Sequence, residues 1–145
     1  MTDTAATTGT IVVGVDGSDD GDAALSQAAT LAAQTNQSLV AVFVRHLPVF
    51  IEASSALGEA LRALDEMEAS IHEKVKATLD DRGVSWEFVT REGDPASQLI
   101  AVADERDASL IVVGHRGMNR AMSILLGSVA SRLVHHADRS VLIAR

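Results

Sequence analysis

Three glycines and a serine carry the most chemical promise in this chain. Gly114, Gly117, Gly127 and Ser128 lie in the segment GHRGMNRAMSILLGS, directly after the apolar run SLIVV. Glycine at 114 and 117 permits close backbone approach and positive φ, which a larger side chain would obstruct. Gly127-Ser128 opens a helix, where unpaired amides and a hydroxyl form a ready anion site. The two pieces read as halves of one phosphate cradle, joined by a flap at 118–126 that carries Arg120. Arg120 suits a γ-phosphate and equally a solvated position on the flap. His115 and Arg116 are expected to point outward while the loop backbone does the binding. The competing account makes every glycine a simple tight turn, the commonest use of the residue.

A second candidate lies at Asp16, in GVDGSDDG, where another apolar run stops. It fits two uses, a contact with a ligand or a turn carboxylate bonding nearby amides. The adjacent His135 and His136 diverge by about 100° around a helix, whereas helical chelation favours i, i+4 spacing, so they make a poor metal pair. GVDGSDDG lacks the Lys and Ser/Thr of a phosphate-binding P-loop. No lipase-type G-x-S-x-G occurs, and no Ser-His-Asp arrangement is legible from spacing.

The elements that must hold these residues are easy to follow. Thr10–Val15 is a β-branched run, and Ser18 can cap an alanine-rich helix reaching Gln34, with Asp19, Asp20 and Asp22 in its first turn. Ser38–Val44 is a second apolar run, followed by a loop in which Pro48, Val49, Phe50 and Ile51 make an apolar patch suited to packing or a dimer contact. Leu57, Leu61, Leu64, Ile71, Val75 and Leu79 then form one helical stripe, stopped by Gly83. Val84–Thr90 predicts a third strand, with Trp86 and Phe88 on one side and Glu87 on the other. Asp94 caps and Pro95 starts the next helix, which ends near Asp107. Ser109–Val113 is strand four, a helix starts near Ser128, and Ser140–Ala144 is the last strand.

Apolar strands alternating with helices predict an α/β fold. The expected form is a doubly wound, five-stranded parallel sheet with helices on both faces, Rossmann-like, in the order 3-2-1-4-5. Ligands in such a sheet bind at the strand ends where the order reverses; if the first and fourth strands are neighbours, Asp16 and the Gly114 loop face each other across one crevice. At 145 residues the chain fits a single domain over 10–145, with residues 1–9 as a flexible tail.

The chain resembles the universal stress protein family, and in particular its ATP-binding branch. Gly114-x2-Gly117-x9-Gly127-Ser128 matches the G-x2-G-x9-G-[S/T] motif of that branch. The likeness extends from IVVGVDGSDDGDAAL through EGDPASQLIAVADERDASLIVVGHRG to LLGSVASRLVHHADRSVLIAR. The resemblance implies ATP or another adenine nucleotide, with Mg2+. It implies that Asp16 contacts the adenosine and that the Val44 backbone meets the adenine. Val113, Gly114 and Gly117 would lie along ribose and phosphates, with Gly127, Ser128 and Val129 holding the phosphates. It also implies a homodimer joined through strand 140–144. Arg139-Ser140 stands where many relatives have proline, a departure expected to matter little.

Composition narrows the rest. With 47% hydrophobic but only 3% aromatic residues, the core must be built from Ala, Val, Leu and Ile. The absence of cysteine excludes disulfides and thiolate metal sites and is compatible with a reducing cytoplasm, the expected location. A net charge of −8 argues against a nucleic-acid surface, which needs clustered Lys and Arg. Apolar runs such as LVAVFV fall far short of the roughly 20 residues of a membrane span. MTDTAATTG has neither the basic region nor the apolar core of a secretory signal. The expected function is a regulatory, stress-response nucleotide-binding dimer that acts on an unidentified protein partner. The alternatives are a weak ATPase or phosphotransferase, in which Ser128 and Asp16 help hold a metal, and a nucleotide-free structural dimer.

Overall fold

The computed structural model describes residues 7–116 and 126–145. Five strands, β1 (Thr10–Gly14), β2 (Ser38–Arg45), β3 (Trp86–Glu92), β4 (Leu110–Gly114) and β5 (Ser140–Ala144), form one sheet. The strands pair in parallel, as the alternation of elements predicts, and stand in the expected order β3-β2-β1-β4-β5. Its helices are α1 (Asp19–Thr35), α2 (Val49–Glu52), α3 (Leu57–Leu79), α4 (Pro95–Glu105) and α5 (Ser128–His136).

Strands covered on both faces need apolar residues at successive positions, and Val12 and Val13 of β1 show why. Val13 packs beneath α1 and α3, whereas Val12 packs on the opposite side against α4 and α5. The α1 side is built from Ala24, Ala28, Ala29 and Ala32, whose small side chains let the helix lie close to the sheet. On the far side Leu99, Val102 and Leu133 fill the space beneath α4 and α5.

Ser18 caps α1 by accepting from the Gly21 amide at 3.0 Å, as its position before three aspartates predicts. Asp94 caps α4 in the same way, accepting from the Ser97 amide at 2.9 Å, and also pairs with Arg132 of α5. Burial alone would push the Asp94 carboxyl up. Bonds from the Ser97 amide and hydroxyl and from the Arg132 guanidinium outweigh it and hold its pKa below the ordinary carboxylate value. A depressed folded-state pKa contributes stability above the unfolded pKa, lost as pH falls through the folded value. Asp94→Ala is therefore expected to cost about 1 kcal/mol at neutral pH. The gap between the variant's and the parent's urea midpoints should narrow below about pH 4. A gap that stays constant to low pH would contradict this coupling.

Two details depart from the sequence reading. Residues 49–52 form a one-turn helix rather than a loop, because Pro48 sits at its N-cap and its carbonyl accepts from the Ile51 and Glu52 amides. Val49 and Phe50 on that turn are 78% and 72% exposed. The α3 stripe is buried only at Ile71, Val75 and Leu79. Twenty-three helical residues span about 35 Å, against about 26 Å for an eight-residue strand, so the first turns of α3 overhang the strand ends. Arg139 also matters more than expected. Its guanidinium donates to the Ala103 and Ala108 carbonyls at 2.9 and 2.7 Å, tying the end of α4 to the start of β5. At the other end of the described chain, the Thr8 amide donates to the Asn36 carbonyl at 2.8 Å.

Candidate functional site

β1 and β4 are neighbours, yet the chain leaves β1 for α1 on one face and leaves β4 for α5 on the other. A crevice must open between their carboxyl ends. It is a cleft of about 390 Å³. Its β2 side is walled by Val44, Leu64 and Met67, its floor by Pro95 and Leu99, and its β4 side by Gly114, Arg116, Gly127, Ser128 and Val129.

Asp16 stands where β1 enters the cleft and performs the turn role the sequence allowed it. Its Oδ1 accepts from the Ser18 amide at 2.9 Å and from the Ser18 hydroxyl at 2.5 Å. That hydroxyl in turn accepts from Gly21, so the carboxylate braces the α1 cap. A Cβ on Gly21 would lie 2.6 Å from the same Oδ1, so a larger residue there would displace the carboxylate. Both bonds that Asp16 makes among the described residues end on Oδ1.

Val44 is presented by a mismatch in strand length. The β1–β2 pairing runs to Gly14↔Val42, with one further bond from the Val15 amide to the Val42 carbonyl at 2.9 Å. β2 continues to Arg45, paired there only with β3. Backbone polar groups alternate between the two edges of a strand, so Val44 turns its N–H and C=O the same way as Val42. They point past the end of β1 into the cleft, a polar edge beside an apolar wall.

On the β4 side, Val113 lines the floor and Gly114 is closely packed. A Cβ at Gly114 would sit 2.7 and 2.8 Å from the carbonyl carbon and oxygen of Asp20. The glycine thus has a reason in packing, the passage of α1 across the end of β4, besides any approach to a ligand. The loop after it is pinned by the His115 amide on Ala144 at 2.6 Å and by the Gly127 amide on the His115 carbonyl at 2.7 Å. Gly127 is the N-cap of α5, and the Ser131 amide is the first to bond back to it. The amides of Ser128, Val129 and Ala130 precede that bond and form the positive end of the helix. Gly117 and Arg120 lie outside the described residues.

His115 and Arg116, both expected to point outward, are both half-buried, and Arg116 shows the physical reason. Its side chain is 20% exposed rather than outward, because its amide donates to Asp20 Oδ2 at 3.1 Å and draws the residue against α1. The only available signal was the aspartate-rich first turn of α1, whose position opposite the loop the sequence does not state.

Among the described residues no group of three or more His, Asp or Glu side chains could hold a metal ion. His135 Nδ1 bonds the Ser131 carbonyl one turn back, at 2.8 Å. No helix among the described residues is long and apolar enough to cross a membrane. A smaller cavity of about 330 Å³ shares His46 and Leu64 with the cleft and extends beneath α2.

The architecture agrees with known proteins. The chain is 32% identical over 139 residues to the universal stress protein MJ0531 of Methanocaldococcus jannaschii, covering 93% of this chain and 81% of that protein. The solved structure of the hypothetical protein MJ0577 superposes with a TM-score of 0.83 over 96% of each chain, at 21% identity, a likeness of fold. A universal stress protein solved in complex with cAMP matches with a TM-score of 0.73 and 28% identity, over 94% of this chain and 97% of the other. The model of the universal stress protein family matches residues 7–145. This chain belongs to the universal stress protein family.

Proposed function

We propose that the cleft binds an adenine nucleotide, ATP foremost, and that residues 10–145 act as one nucleotide-binding domain of a cytoplasmic regulatory dimer. The observation that carries this reading is the cleft's division into two chemically different ends. The open Val44 backbone edge, flanked by Leu64 and Met67, suits a flat base with polar rim atoms. The Ser128–Ala130 amides and the Arg116 guanidinium suit phosphate oxygens. Asp16 Oδ2, between them, would accept from a ribose hydroxyl. The relative bound to cAMP supports an adenine ligand here, and the G-x2-G-x9-G-S spacing supports the ATP-binding branch. Mg2+ would come with the phosphates, held chiefly by their oxygens. For the dimer, β5 is an edge strand whose Val141, Leu142 and Ile143 are only half-buried, a surface that a second copy's strand would cover. Occupancy would then act on a partner protein through whichever conformation the nucleotide favours.

The test is to denature purified protein, identify any released nucleotide by chromatography, and titrate emptied protein with ATP, AMP and cAMP, with and without magnesium. Released or saturable adenine nucleotide is the expected result. Failure of all three to bind would remove the nucleotide reading and favour a structural dimer.

A further inference from the structure

Among the described residues lining the cleft, Asp16 and Arg116 are the only ones that carry a full charge at neutral pH. Arg116 is therefore the sole described cation there, in a chain whose net charge of −8 otherwise repels an anion. Its geometry is specific. One carboxylate oxygen, Asp20 Oδ2, lies 3.1 Å from the Arg116 amide and 3.6 Å from its Nε. The Asp20 and Arg116 side chains are 14% and 20% exposed. The Nε atom is buried without a hydrogen-bond partner among the described residues, held by charge beyond bonding distance. Asp20 is itself fixed, since it belongs to the Ser18-capped first turn of α1 and its backbone packs on Gly114.

We propose that Arg116 is the specificity-determining residue by which this cleft separates phosphorylated adenine ligands from uncharged adenosine, with Asp20 as its positioning residue. The inference rests on the nucleotide reading of the cleft. A free arginine would lose rotamer freedom on binding phosphate, whereas one already steered by Asp20 loses less. The guanidinium also presents a fork to two phosphate oxygens, which an ammonium does not.

Calorimetric titration of ATP, AMP and adenosine into the parent, Arg116→Gln, Arg116→Lys and Asp20→Asn tests both roles. Arg116→Gln keeps the main-chain bond to Asp20 and is expected to weaken ATP and AMP about tenfold or more. Adenosine should change by less than about twofold on this scale. Arg116→Lys should fall between, retaining the charge without the fork, and serves if the glutamine variant folds poorly. Asp20→Asn keeps an oxygen for the Arg116 amide but removes the charge. If Asp20 positions the guanidinium, ATP weakens about threefold to tenfold. If it merely neutralises the guanidinium, ATP binds more tightly, and the positioning role is overturned. Equal losses for adenosine and ATP in Arg116→Gln would make the residue structural and overturn the specificity role. The nucleotide reading fails separately, and takes this inference with it, if the parent binds none of the three ligands.

Discussion

Gly114→Ala is expected to unfold at a clearly lower urea concentration than the parent, with a loss of about 1–3 kcal/mol, the range for forcing atoms into a packed site. A Cβ at this position would meet the carbonyl carbon, carbonyl oxygen and Cβ of Asp20 at 2.7, 2.8 and 2.9 Å. Two of those three atoms are helix backbone in the first turn of α1, so no rotamer change relieves the contact. Relief requires α1 to withdraw from the end of β4. The shift would also disturb the Asp20 carboxylate that holds the Arg116 amide, and nucleotide affinity should fall with stability. Gly58→Ala is the matched control. A Cβ there meets nothing within 4 Å, and alanine is the better helix former, so this variant should be neutral or slightly stabilised. Equal urea midpoints for Gly114→Ala and the parent would show that α1 moves freely against β4.

What the sequence revealed and what it concealed divide by the range of the interactions involved. Ser18 and Asp94 were legible as caps because a cap is decided within four residues. The parallel, doubly wound sheet followed from alternation and handedness, which need no side-chain detail. The apolar patch after Pro48 was visible, but one helical turn of four residues leaves no periodicity to detect. For α3 the stripe was real, yet its burial depends on where β2 and β3 end beneath it. At the site, Asp16 and Val44 line the cleft, each placed by the end of its own strand. Arg116 and Gly114 were harder, since both depend on Asp20, which is more than ninety residues away in the chain and meets them only once α1 crosses the end of β4. Arg139 is alike, with its acceptors on α4 and the turn after it.

Leu99→Ala, read beside Leu133→Ala, carries a large expected effect, and its consequence for binding is as informative as its cost in stability. Leu99 is 2% exposed, packs with Val12, Val42 and Val113 under the sheet, and also forms part of the cleft floor. Truncating a buried leucine costs about 2–5 kcal/mol, less where the space left can be refilled. Because this space adjoins the cleft, water can enter it, and the loss should fall in the lower half of that range. Leu133→Ala is the comparison, since Leu133 is 0% exposed in the same core but does not line the cleft. Its void is closed, so its loss should be the greater. The response to ligand should separate the two variants differently. A bound nucleotide raises the unfolding temperature according to its concentration relative to Kd. Leu133→Ala should therefore keep the full ATP-induced shift in Tm, whereas Leu99→Ala, with part of the floor removed, should show a smaller one. Thermal unfolding of both variants over a series of ATP concentrations measures this directly. Equal shifts in the two would place the ligand away from Leu99, and with it away from the crevice between β1 and β4.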